Sequence, residues 1–263
     1  MKRIVSETTT STAPRARPQR PIWSKIAPAL GGAGVAALLL LVPIAQAAPS
    51  HPLSTYAPPY NGKGLVSTSL STLGCGVKGT ITTHPKFTTS SGVAKVAVKA
   101  AAKSCGSPLG YNWVKIGGGS GYFTRTFTHV SGVHHVVAHW SVAWSSTVSV
   151  SKGPKFTGGG YASSFVVAVL WLLDETNLTY LSPANSWGFF SAISNGTVSN
   201  ISSATVSMYL NQTLVSGHVY SITTAIDISA YAQASSKGPS TASALLSLAG
   251  SGKSTKLTSI TFT

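Results

Sequence analysis

Acidic residues are the scarcest chemistry in this chain: only four Asp and Glu occur among 263 residues. They are Glu7, Asp174, Glu175 and Asp227. Glycoside hydrolysis normally uses two carboxylates facing one another about 5–10 Å apart. Asp174 and Glu175 are sequence neighbours, which on a strand point to opposite faces, so a hydrolase would need Asp227 to meet one of them across the fold. Calcium cages, which take several carboxylate or carbonyl oxygens, are unsupported for the same reason. Cysteine is nearly as rare, with Cys75 and Cys105 alone. No histidine stands beside them at metal-ligand spacing, so they read as a disulfide formed in an oxidising compartment. Arginine is confined to the first twenty residues apart from Arg125. Nucleic-acid recognition usually interleaves dense arginine with aromatics, and no specific nucleic-acid binding is expected. Long apolar runs are missing beyond residue 47; residues 166–173, the most hydrophobic stretch there, suit a buried strand.

The chain opens with a basic leader, Lys2, Arg3, Arg15, Arg17, Arg20 and Lys25, followed by an apolar run over 26–44. Ala45-Gln46-Ala47 supplies the small-x-small pattern of a signal-peptidase site. Residues 1–47 therefore read as a signal peptide cleaved after Ala47. The alternative is an uncleaved signal-anchor helix, because the run approaches the ~17 apolar residues that just span a bilayer. Both readings keep the basic side inside and place the rest of the chain outside, secreted or at the cell surface. The membrane is then touched only through an uncleaved leader. Residues 48–63, with Pro49, Pro52, Pro58 and Pro59, read as an extended linker, and 64–263 as a single domain.

Six of the nineteen Lys and Arg residues belong to the leader, which leaves thirteen beyond it against three carboxylates. A basic surface of this kind favours anionic partners such as acidic polysaccharide or other cell-envelope polymers. Few carboxylates also means that little folding stability is expected to be lost in acid.

From Gly64 onward the hydrophobic period is two. Over 140–150 the even positions carry Trp140, Val142, Trp144, Ser146, Val148 and Val150, and the odd positions are small or polar. From Tyr220 the even positions are Tyr220, Ile222, Thr224, Ile226, Ile228, Ala230 and Ala232, while Ser221, Thr223, Asp227, Ser229 and Gln233 occupy the odd side. Such alternation buries one face and leaves the other to water. Glycine-rich breaks at 117–121, 158–160 and 250–252 mark turns. The expected fold is an all-β antiparallel sandwich, Ig-like or jelly-roll-like, preceded by the leader helix. Segment 93–103 carries Lys95, Lys99 and Lys103, a spacing that fits one face of either a helix or a strand; its β neighbours favour strand. Ser131-Gly132 suggests a hairpin between 122–130 and 133–140, which would pair His129 with His134, Phe127 with Val136, and Phe123 with Trp140.

In that register His129 and His134 are close enough to share an ion, but no third ligand is identifiable. The preferred reading leaves them as polar residues near a turn, with no metal or cofactor. His135 and His139 sit about 13 Å apart on one strand and cannot chelate together. Gly250-Ser-Gly-Lys-Ser-Thr255 imitates the end of a phosphate-binding loop, but Ser247 stands where the motif needs a small apolar residue, and no helix is expected to follow. No Gly-x-Ser-x-Gly elbow supports a serine hydrolase. Four sequons make Asn177, Asn195, Asn200 and Asn211 glycosylation candidates. Trp140, Trp144 and Trp171 read as core, whereas Tyr111, Trp113, Tyr161 and Trp187 lie beside irregular segments and are candidates for exposure. The composition resembles that of Ser/Thr-rich secreted and surface β proteins of microbes, a likeness of style that implies no site. The functional expectation is an extracellular, non-enzymatic β-sandwich with a structural, adhesive or ligand-binding role, its partner a carbohydrate or an anionic cell-envelope polymer. The alternatives are a secreted hydrolase or a His-based metal-binding protein.

Overall fold

The computed structural model describes residues 56–60, 64–123, 127–128, 133–152, 159–236, 238–250 and 252–262. The leader over 1–47, most of the 48–63 linker, and His129 lie outside the described residues. What is described is almost entirely strand. The elements are β1 (Gly64–Leu73), β2 (Val77–Thr88), β3 (Val93–Lys103), β4 (Tyr111–Phe123), β5 (Phe127–Thr128), β6 (Val133–Lys152) and β7 (Tyr161–Asp174). They continue with β8 (Thr179–Ile193), β9 (Gly196–Thr213), β10 (Val219–Ser235), β11 (Ser240–Ser247), β12 (Ala249–Gly250), β13 (Lys253–Ser254) and β14 (Lys256–Phe262).

Two six-stranded antiparallel sheets result among the described residues. The first runs β1-β4-β10-β7-β8, with β5 also paired to β10. The second runs from β2 and β3 through a slot shared by β11 and β14 to β6 and β9. Six strands a sheet make a larger body than the roughly seven to nine strands of an Ig domain or the eight of a jelly roll.

Alternation explains how the layers stack. The even residues of β6 (Val136 to Val150), of β7 (Ala162 to Leu172) and of β10 (Tyr220 to Ala234) are buried and belong to one continuous core. Trp140, wholly buried, donates its indole N–H to Thr224 Oγ1 at 2.8 Å, tying the second sheet to the first. Ser146 and Ser164 hydroxyls meet at 2.6 Å in the interior, so neither is left unpaired. Segment 93–103 is the strand β3; Ala94, Val96, Val98, Ala100 and Ala102 fill the core side and its lysines face out.

The expected hairpin across Ser131-Gly132 does not form. Phe123 pairs with Thr223 and Phe127 with Tyr220, both in the first sheet. Val136 pairs with Leu210, and Trp140 with Val206, in the second. The chain changes layer here because each arm finds a longer partner: β6 matches β9 over eighteen residue pairs, from Val133↔Thr213 to Val150↔Gly196. The side chain of His134 is outside the described residues, like His129, so the alternative of a metal held by this pair is not tested by the structure.

β11 and β14 lie end to end along β6, and residues between them leave the sheet. Thr255 heals the gap. Its hydroxyl accepts the Ala143 N–H at 2.9 Å and donates to the Ala143 carbonyl at 2.6 Å, replacing a missing strand neighbour. Gly250 crosses so close to β6 that a Cβ there would sit 2.2 Å from the Trp144 carbonyl oxygen. The segment resembling a phosphate loop is thus a short β12–β13 turn followed by a strand, as its sequence suggested.

Candidate functional site

The outer face of the first sheet collects aromatic and polar side chains that the register places in adjacent rows. On β4, Tyr111, Trp113 and Lys115 point away from the core, opposite the buried Asn112, Val114 and Ile116. Across β10, Trp113 pairs with Gln233 and Lys115 with Tyr231. Across β7, Gln233 pairs with Tyr161, and Phe165 is the partner of both Ser229 and Phe190. Trp113 and Tyr231 stack at 6.0 Å with 29° between planes, and Tyr161 lies 5.9 Å from Tyr231 on the other side. Tyr111 and Tyr161 are 42% and 36% exposed, and Phe190 is 55% exposed.

Polar groups are interleaved with these rings. The Tyr231 hydroxyl donates to Gln233 Oε1 at 2.6 Å, which orients the amide and leaves its NH2 end for another acceptor. Lys115 is half-buried among the rings, and desolvation pulls its pKa below the ordinary lysine value. Further along the face, Asp227 lies over Gly119, with Ser67 on the neighbouring strand. A Cβ at residue 119 would fall 1.9 Å from Asp227 Oδ1 and 2.5 Å from Ser67 Oγ, so glycine there is what lets both side chains lie flat across β4.

Asp227 remains partly open to solvent, yet its carboxyl is wrapped closely enough that desolvation raises its pKa to about 6. A carboxyl raised in the fold favours folding only while protonated. Its contribution is complete below the ordinary value of 3.8 and is lost as pH rises through about 6. Asp227→Asn is therefore expected to stabilise the protein by about 2 kcal/mol at pH 8, after allowance for partial exposure, and to change little at pH 4. Urea unfolding at the two pH values measures this, and an equal effect at both would contradict it.

Other acids and histidines group elsewhere. Asp174, at the end of β7, lies 2.8 Å from His218 Nδ1 and accepts the backbone N–H groups of Thr176 and Asn177. Burial alone would raise its pKa, but the hydrogen bonds from His218, Asn177 and Thr176 outweigh that and hold it below the ordinary carboxyl value. Glu175 accepts the hydroxyl of Ser221. Ser221 and Thr223, expected to face water, are instead buried, beside a small cluster of Trp171 and Ala225 flanked by Leu65 and Val169. His135 and His139 face outward on β6 and bond Asn211 and Ser207 at 2.5 and 2.9 Å. Among the described residues no three His, Cys, Asp or Glu side chains group as a metal site.

Cys75 and Cys105 form the expected disulfide. Trp140, Trp144 and Trp171 are buried. Of the four aromatics expected outside, Tyr111, Trp113 and Tyr161 share this one face, whereas Trp187 packs 5.7 Å from Trp144 at the edge of the core. Tyr231, the ring that joins them, was legible only as the odd-numbered neighbour of Ser229 and Gln233. Among the sequons, Asn177, Asn195 and Asn211 are exposed, and Asn200 is half-buried against Ser191.

No family model matches the chain, and no curated protein matches it. Among solved structures it is similar to the carbohydrate-binding module TmCBM61 in complex with beta-1,4-galactotriose. The identity is 11% and the TM-score 0.18, over 68% of this chain and 86% of that one. A likeness of that size transfers neither a ligand nor a site.

Proposed function

We propose that this chain is an extracellular sugar-binding β-sandwich whose binding face is the outer side of β4, β10 and β7. The observation that carries the reading is the Tyr161–Tyr231–Trp113 row, partly exposed and flanked by Gln233 and Lys115. Aromatic faces offer a large apolar surface to the C–H side of a pyranose ring. The amide, the lysine, and the Asp227 and Ser67 groups further along supply the few fixed polar partners that orient a ligand. The disulfide fits an oxidising, extracellular setting.

Binding without bond cleavage is the role this geometry favours. Asp227 pairs with Val167 on β7, and Asp174 pairs with Tyr220 seven residues along β10. Strand rise puts these two acids roughly 23 Å apart, beyond the spacing that two-carboxylate hydrolysis uses.

Isothermal titration against a panel of neutral polysaccharides tests the proposal. The double variant Trp113→Ala/Tyr231→Ala is expected to lose about 2 kcal/mol of binding, roughly 30-fold in Kd, with its thermal unfolding little changed because both rings lie outside the core. Unchanged affinity in that variant, or no binding to any neutral glycan by the native protein, would overturn it.

A further inference from the structure

The second sheet turns a different chemistry outward. On β3, Lys95, Lys99 and Lys103 are exposed, and β2 adds Lys78 and Lys86 on the same side, since Lys78 pairs with Ala101 and Lys86 with Lys95. The three carboxylates beyond the leader belong to β7, to the turn after it and to β10, strands and connection of the first sheet. The outer face of the second sheet therefore carries lysine with no acid to balance it. Lys86 and Lys95 are direct cross-strand partners, and like charges so placed work against folding. A pairing that opposes stability is one that a bound anion would relieve.

An open recess of about 430 Å³ lies on this side, with Lys78 and Lys103 at its rims and Ala101, Ser149 and Ser243 among its lining. Small side chains leave the space, and the register aligns Lys78, Ala101, Ser243 and Ser149 in one row across four strands. Hydroxyl pairs extend the row outward, with Ser149 and Thr197 at 2.8 Å and Thr147 and Ser199 at 3.1 Å.

We propose that this face binds an acidic polysaccharide, the recess between Lys78 and Lys103 receiving its carboxylate or sulfate groups. Charge sets the sign of the ligand, and the recess sets its form: a group projecting from a polymer chain enters it, whereas a flat bilayer surface would leave it unused. The hydroxyl rows beside it suit a sugar backbone. This site is independent of the aromatic face, which lies on the opposite side of the sandwich.

The test uses the full chain with polygalacturonate and dextran sulfate as probes, neutral dextran as control, and vesicles containing phosphatidylglycerol for comparison. Lys78→Gln/Lys103→Gln is expected to weaken polyanion binding about tenfold at moderate salt, and added salt to erode the native affinity. The charge-matched variant Lys253→Gln/Lys256→Gln, at exposed lysines outside both sites, should change it no more than about twofold, and Trp113→Ala should leave it unchanged. Equal losses in both double variants would mean general charge attraction and overturn the site. Binding to the vesicles but not to the polymers would overturn it in favour of a membrane surface. Loss of neutral-glycan binding in Trp113→Ala with polyanion binding intact separates this site from the aromatic face.

Discussion

Replacing Trp140 by alanine is expected to cost about 3–5 kcal/mol of folding stability, the range for emptying a large aromatic site in a core that cannot collapse. Trp140 is wholly buried at the centre of β6, with Phe87 edge-on at 6.4 Å. Its N–H donates to Thr224 on the opposite sheet, and Thr224 Oγ1 donates in turn to the Val169 carbonyl at 2.9 Å. One side chain thus fills the gap between layers and anchors a hydrogen-bond relay reaching two strands of the facing sheet. Trp140→Phe keeps most of the volume but loses the N–H and part of the ring system, so it should cost less, about 1–2 kcal/mol. Chemical denaturation of the three proteins measures both steps. Equal losses in the two variants would mean that the hydrogen bond, not the packing, dominates.

Opening the Cys75–Cys105 disulfide should be the second large effect. The crosslink spans 30 residues of sequence, and the chain-entropy account assigns roughly 3–4 kcal/mol to a loop of that size. The position matters as much as the magnitude. Asn112, fully buried beside the bridge, accepts the Cys75 N–H at 3.2 Å and donates to the carbonyls of Lys103 and Cys105 at 3.3 and 3.5 Å. It stands between Tyr111 and Trp113 at the start of β4, so the bridge pins the strand that presents the aromatic row. It also holds the end of β3, where Lys103 rims the recess. Reduction is therefore expected to lower the unfolding temperature and to weaken neutral-glycan binding together. A stability loss with unaltered affinity would show that the bridge braces the fold without positioning the site.

Much of the architecture was readable from alternation alone. The parity over 140–150 and from Tyr220 onward names the buried residues because a strand's side chains take opposite faces in turn. The same parity set Asp227 and Gln233 on the outside, where they are found. The hairpin over 122–140 misled because a turn dipeptide is local, whereas partner choice depends on the length of strand available in each layer. Burial of Ser221 and Thr223 was hidden for a related reason: their cover comes from segments distant in the chain.

The local pattern by itself determined that the chain pleats, which side of most strands is apolar, and that its two cysteines can bridge, but left 93–103 open between helix and strand until its β neighbours were weighed. Only the tertiary structure decided which strands lie beside one another, and hence that three aromatics from β4, β7 and β10 form one row while lysines gather on the other side. Strand parity is written into successive residues, but neighbours across a sheet are chosen by the competition of all ladders for partners, and a binding face is made of those neighbours.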